Sequence, residues 1–411
     1  SLYMSQQKQI SILALPIIVA ALGYFVDIYD LLMFSIIWKP SLTDLGVSPE
    51  RLPHVGENII SIQMAGLLIG GIIWGTMGDK KGRLSVLFGS IILYSVANIL
   101  NGFVENEKQY TVVRFIAGLG LAGELGAGIT LVSEIVSKEK RGLATSMVAG
   151  LGLTGAVVAY FVKQHFDWRT CYFIGGGLGF MLLLLRVKVF ESGMYAEVKK
   201  STVSKGNFLL FFQQKERFIK YICSIFIGLP CWYVIGVLLT FSPVFAKEFG
   251  IKEPIDSGKA IMFAYAAISV ADVLAGFISQ WMKSRKKALL FYYCLTLLFL
   301  FLFFATKGGG SATSFYILAA GLGFATGFWA ILVTMGAEQF GTNLRATATT
   351  TIPNFVRGML PLIIMLCNVL RSKTNYITGT WVTGIIIMSI AITSLIYLKE
   401  TFGKDLHYLE E

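Results

Sequence analysis

Two aspartates three residues apart, Asp27 and Asp30, stand in the stretch YFVDIYDLLMF (residues 24–34), inside an otherwise apolar run from Ile10 to Trp38. In a helix that spacing puts both carboxylates on one face. An ionised group at the centre of a membrane helix costs roughly 2.5–3.5 kcal/mol, so such groups face a cavity or a partner. The chemistry open to this pair is proton binding, cation binding or substrate contact. Further ionisable groups lie in comparable surroundings: Arg114 and Glu124 in RFIAGLGLAGEL, Asp272 in SVADVLAG and Arg357 in IPNFVRGMLPLI. An arginine at that depth suits a carboxylate-bearing or zwitterionic substrate. A purely structural Arg357–Asp272 pair is the alternative. Trp232, Tyr233 and Trp329 are candidates to line a cavity, although aromatics at helical spacing more often pack or face lipid. Tyr29, Gln63 and Asn354 complete the candidate substrate set.

Enzyme chemistry is not expected. His54, His165 and His407 fall in loops or the tail, and no nucleophile–base spacing accompanies them. The five cysteines lie within or at the edge of apolar segments without metal-ligand spacing. Neither a cofactor nor a metal is expected.

The elements that must hold these residues are membrane helices. Hydrophobic residues make up 55% of the 411 and charged ones 14%, with a mean hydropathy of +0.69. Those values lie outside the range of soluble domains. A bilayer core takes about 20 apolar residues as helix. Twelve segments meet that need: 12–38, 57–78, 84–104, 111–133, 143–163, 169–189, 218–245, 258–282, 288–306, 312–336, 346–370 and 376–398. They are called spans one to twelve below. No cleavable signal is expected, because the first run is too long and further spans follow. The longest polar interruption, from Glu191 to Lys220, divides the spans evenly. The expected organisation is a bundle over 1–190, a linker over 191–217 and a second bundle over 218–411. Two equal sets of spans point to duplication, a mark of secondary transporters.

The net charge of +11 needs its distribution examined. With a cytoplasmic N-terminus, roughly 22 of the 35 Lys and Arg fall inside and roughly 11 outside, as the positive-inside rule requires. Both termini are then expected to be cytoplasmic, and the expected membrane is a bacterial inner membrane. Nucleic acid is excluded as a partner, since the basic residues are spread over many short loops. The expected partners are a small-molecule substrate, protons and the lipid bilayer, with the protein acting as a monomer.

Two loop signals recur in both halves. Gly75-Thr-Met-Gly-Asp79-Lys-Lys-Gly-Arg83 joins spans two and three by a very short turn. After spans four and ten, a glutamate precedes an arginine by seven residues, Glu134 with Arg141 and Glu338 with Arg345.

Depth follows from chain position at about 1.5 Å per residue. Asp30 falls roughly eight residues from the outer end of span one, and Arg114 about three from that of span four. They are near each other in level. Asp27 and Glu124 are both near the middle. Movement of Arg114 toward or away from Asp30 would change how firmly Asp30 holds a proton. That makes Asp30 the first candidate for proton coupling, with a static salt bridge and substrate contact as alternatives.

The Gly75–Arg83 run resembles the signature loop G-x-x-x-D-[RK]-x-G-R of the major facilitator superfamily, in the expected place between spans two and three. The resemblance implies an all-α fold of twelve transmembrane helices in two pseudo-symmetric six-helix bundles, working by alternating access. It also implies a gate in which Asp79, Arg83 and the Glu134/Arg141 pair hold the halves together. DIYDL is similar to the span-one E-W-Y-D-F pattern of the metabolite:proton symporters. RFIAGLGLAGELGAGITLVSEIVSKEKRG is similar to that branch's fourth span, and FESGMY and LKETFGKDL echo elements of the sugar-porter-like relatives. On this resemblance Asp30 and Arg114 form the proton site. Asp27 stands where that branch has Glu, Ile28 where it has Trp, Ala122 where it has Gly, and the Pro is missing from ESG, so substrate identity does not carry over. The expected function is proton symport of a small organic metabolite. An exporter or uniporter of the same fold and a non-transporting, receptor-like protein are the alternatives.

Overall fold

A computed structural model describes residues 15–81, 83–124, 132, 141–191, 208–404 and 408. Among these residues there is no strand, and eleven helices are long and apolar enough to cross a membrane. Span four is not among them, its continuously described part ending at Glu124. Its helix, Glu107–Leu121, is capped by Asn106, whose side chain accepts from the Gln109 N–H, and it can be followed as far as Glu124.

Span one is apolar on every face but for Asp27 and Asp30, and a helix of that kind has to be buried. It is enclosed by spans two, five and six of its own half and span eight of the other. Lys39 and Pro40 mark its end in the sequence, yet the helix runs to Asp44. Ser41 and Leu42 are still buried there, the Ser41 hydroxyl lying 3.0 Å from that of Tyr110 in span four. Outward faces of other spans carry exposed Leu184, Phe301 and Ile396, a surface suited to lipid.

Small residues set how closely the spans approach. A side chain at Gly118 in span four would collide with the backbone carbonyl of Gln63 in span two, and one at Gly66 with that of Phe115. This backbone-to-backbone contact carries Gln63 up to Arg114.

Among the described residues, four spans are broken within their length. Span five divides at Thr154, between Arg141–Leu153 and Gly155–His165. Span seven runs as Lys215–Phe226, a short turn Leu229–Trp232, and a π-helical segment Tyr233–Leu239. Span ten divides into Ala312–Ala325 and Trp329–Glu338, and span eleven into Thr342–Gly358 and Leu360–Lys373. Broken helices within a membrane are tolerated where they line a cavity.

At the end opposite the Gly75–Arg83 loop, three polar links join the halves. Trp38 Nε1 donates to the Thr240 carbonyl (2.6 Å), Lys163 pairs with Asp256 (3.0 Å), and Arg371 pairs with Glu57 (3.2 Å), whose other oxygen accepts from Asn368 (2.9 Å). This far end is closed. At the loop end Asn354 of span eleven donates to the Ala122 carbonyl of span four (2.8 Å), and Gly75 lies against Thr351. The expected gate residues Glu134 and the side chains of Asp79, Arg83 and Arg141 lie outside the described residues. In the second-half copy Glu338 pairs with Arg285 (3.0 Å), and Arg345 donates to the carbonyls of Ala337 and Phe340.

Residues 192–207 of the expected linker are likewise outside the description. The turn Phe208–Phe212 packs against the second half, with Phe211 stacked on Tyr221 at 4.2 Å.

Candidate functional site

The helix breaks converge on a small cavity between the halves. Tyr24 and Ile28 of span one face it, with Trp232 of span seven, Tyr265 of span eight, Trp329 of span ten and Arg357 of span eleven. Its volume is about 30 Å³, room for little more than water, whereas small-molecule sites occupy roughly 300–1,000 Å³. The cavity is shut in this conformation.

Arg357 is buried, and its Nε and Nη1 have no hydrogen-bond partner among the described residues. Its guanidinium lies 5.4 Å from the centre of the Trp329 ring, a cation–π contact. The residue occupies the last turn of its half-helix, where the dipole favours a cation. The alternative of a structural pair with Asp272 is not what forms. Asp272 Oδ1 instead accepts the Ala330 N–H (2.8 Å), at the start of the second half of span ten. A carboxylate is favourable at a helix N-terminus, so Asp272 anchors the broken span.

Arg114 has the polar surroundings that Arg357 lacks. Gln63 Oε1 accepts from its Nε (3.0 Å) and Nη2 (2.8 Å), Asn98 Oδ1 from Nη1 (3.2 Å), and the Asp30 backbone carbonyl from Nη2 (3.2 Å). Depth counting therefore brings Asp30 and Arg114 together, but through a main-chain carbonyl and without a carboxylate–guanidinium ion pair. Amide oxygens are the better-placed acceptors, and Asp30 Oδ2 is left buried without a partner.

Glu124 also departs from expectation. It is held by both terminal nitrogens of Arg186 in span six, which also donates to the Leu87 carbonyl (3.0 Å). This ion pair is buried inside the first half, so Glu124 is not a free acid beside Asp27. Both Asp27 oxygens are buried and without a partner among the described residues.

Of the other candidates, Trp232 and Trp329 line the cavity. Tyr29 donates to the Cys171 carbonyl, Tyr233 to that of Thr380, Asn354 to that of Ala122 and Gln63 to that of Leu31. These four bind helices to one another and none faces the cavity. Tyr24, Tyr265 and Arg186 were not among the expected residues. Tyr24 stands three residues before Asp27, a spacing that marks it as sharing the aspartate's face.

Comparison with known proteins agrees with this architecture. The Major Facilitator Superfamily model matches residues 20–360. A niacin transporter of Acinetobacter baylyi is 25% identical over 426 residues, covering 94% of this chain and 94% of that protein. A benzoate transport protein of the same organism is 25% identical over 374 residues, covering 80% and 78%. The crystal structure of a D-xylose-proton symporter shares the fold, with a TM-score of 0.68 over 95% of this chain and 99% of that one at 18% identity. With a family model matching most of its length and transporters among its relatives, the chain belongs to the major facilitator superfamily and is a transporter, not an enzyme.

Proposed function

We propose that this protein is a secondary transporter of a small planar monocarboxylate, of the niacin or benzoate kind, driven by proton symport across the cytoplasmic membrane. The observation that carries the reading is Arg357, a buried guanidinium with two nitrogens unpartnered at the edge of the cavity. A carboxylate accepts charge-assisted hydrogen bonds from such unpartnered guanidinium N–H groups. Trp232, Trp329, Tyr24 and Tyr265 supply flat apolar walls, whereas a sugar would require many hydrogen-bonding groups around its ring. The relatives that transport niacin and benzoate favour the same ligand class.

Transport requires the closed cavity to open to each side in turn, by rocking of the two six-helix halves. The far-end links form one gate. Asp79, Arg83, Glu134 and Arg141, with Glu338 and Arg345 as the second-half copy, form the gate at the cytoplasmic end. The whole site lies within one chain, so a monomer suffices, and an aspartate of span one takes the proton. The test is uptake into proteoliposomes with an inward pH gradient. Nicotinate and benzoate are expected to accumulate, xylose and glucose are not, and Arg357→Gln is expected to reduce carboxylate uptake at least tenfold. Accumulation of sugars, or undiminished carboxylate uptake in Arg357→Gln, contradicts the reading.

A further inference from the structure

Asp27 has no structural task in this conformation. Asp272 anchors a helix start and Glu124 is committed to Arg186, while Asp30, whose Oδ2 is also without a partner among the described residues, sits beside Arg114 on the side of span one turned into the first half, away from the cavity. Asp27 is fully buried, and neither carboxylate oxygen accepts a hydrogen bond. Tyr24, on the same helix face, and the adjoining Ile28 both line the cavity, so Asp27 stands directly behind the cavity's first-half wall. The charged and titratable groups around it are Arg357 from span eleven, Glu124 from span four, Arg186 from span six, Tyr94 from span three, Tyr265 from span eight, and Tyr24 and Asp30 from its own helix. Two of these are cations, and Arg186 is already neutralised by Glu124. Arg357 is the remaining cation, and its unpartnered nitrogens lie on the opposite wall.

We propose that Asp27 is the coupling acid and that it acts as an internal stand-in for the substrate's carboxylate. This rests on Arg357 being the substrate anchor. In the empty cavity the Asp27 carboxylate supplies the negative charge that balances Arg357 across the gap. A substrate carboxylate that takes the Arg357 N–H groups supplies that charge itself. Asp27 is then a second anion in a low-dielectric chamber with no cation left to it, and it binds one proton. The guanidinium stays protonated throughout. One monocarboxylate and one proton enter together, so the charge of the chamber is unchanged and the loaded halves can rock without moving net charge through the apolar core. When the substrate leaves, Arg357 is open again and Asp27 releases its proton to the same side. The arrangement assigns coupling to the Asp27–Arg357 pair across the halves and leaves the Arg114 cluster as a fixed brace inside the first half.

Two measurements test this. Calorimetric titration of nicotinate and benzoate in buffers of differing ionisation enthalpy counts protons taken up on binding. Wild type is expected to take up one proton per ligand, with affinity falling as pH rises. Asp27→Asn is expected to bind with no proton uptake and no such pH dependence, and to lose gradient-driven accumulation while retaining carboxylate exchange. Proton uptake that survives in Asp27→Asn and disappears in Asp30→Asn would place coupling at the Arg114 cluster and overturn the proposal. The second measurement needs no ligand. Infrared difference spectra of ligand-free Arg357→Gln against wild type at neutral pH are expected to show an added protonated-carboxyl band, lost again in the Arg357→Gln, Asp27→Asn double variant. A spectrum without that band, or with it still present in the double variant, refutes the Asp27–Arg357 balance. Wild-type affinity for both carboxylates in Arg357→Gln would instead refute the anchor on which the proposal rests, so the two failures are told apart.

Discussion

Three arginines buried in the membrane part of this protein do three different things, and their partners decide which. Arg114 is supported by two amides and a main-chain carbonyl, Arg186 by a carboxylate, and Arg357 by the face of an indole ring. The first two are braces and the third is left open toward the cavity. Glu124 and Arg186 are each 2% exposed, so removing one partner strands the other charge away from water. Breaking such a buried pair costs about 3–5 kcal/mol, whereas replacing both members with apolar groups of similar volume is often neutral. Glu124→Ala is accordingly expected to lower thermal stability in detergent by an amount of that size. The double change Glu124→Leu, Arg186→Met is expected to recover most of it. A double variant no more stable than Glu124→Ala alone would show that the pair does more than satisfy its own charges.

At the scale of elements, the second half is fastened at its loop end by one carboxylate. Glu400 follows span twelve in LKETFGKDL and accepts from the Ser284 hydroxyl and from the N–H groups of Arg285 (2.9 Å) and Lys286 (3.1 Å) at the start of span nine, Arg285–Ala305. It also accepts from the N–H groups of Thr401 and Phe402. Burial pushes its carboxyl up, but the Ser284 hydroxyl and the backbone N–H groups of Arg285, Phe402 and Lys286 outweigh burial and hold it below the usual carboxylate range. The unfolded chain therefore binds this proton more readily than the folded one. The stabilisation is fully present above the unfolded value of about 4.3 and fades as pH falls through the lower folded value. Glu400→Ala is expected to cost about 1 kcal/mol at neutral pH, as loss of a helix cap does, and the difference from wild type is expected to shrink in acid. Equal stability of the two proteins at pH 7 would contradict this clamp.

The spans themselves were legible from apolar runs, because the bilayer imposes length and composition on every one of them. Their breaks were not. Thr154, Thr326 and Met359 are ordinary residues in a helix; only Pro230 and Pro361, at the starts of Leu229–Trp232 and Leu360–Lys373, mark a break in the sequence, and in span ten Asp272 accepts the Ala330 N–H just past the interruption. Depth counting found Asp30 beside Arg114, because rise per residue is fixed. It could not tell side chain from carbonyl, nor find Arg186 as the partner of Glu124, since helix rotation about its axis decides both. Tyr29 and Asp30 sit on faces of span one turned into the first half, while Tyr24 and Ile28 face the second.

For the whole molecule, closure at the far end and the collapse of the cavity are one event. The Trp38–Thr240, Lys163–Asp256 and Glu57–Arg371 links draw spans one, two and five onto spans seven, eight and eleven, and the same approach narrows the space in front of Arg357 to about 30 Å³. A carboxylate enters only when one end parts, and its binding at Arg357 has to favour re-closure for transport to proceed. Cys231 is a built-in reporter of this cycle, since it is buried and lines the cavity with Arg357. In a protein whose other four cysteines are alanine, the rate at which a small water-soluble maleimide modifies Cys231 measures access to the site. Benzoate is expected to slow that modification several-fold in the wild-type cavity and to have no effect in Arg357→Gln, with xylose inert in both. Equal protection by benzoate with and without Arg357 would contradict the central claim that this guanidinium holds the transported carboxylate.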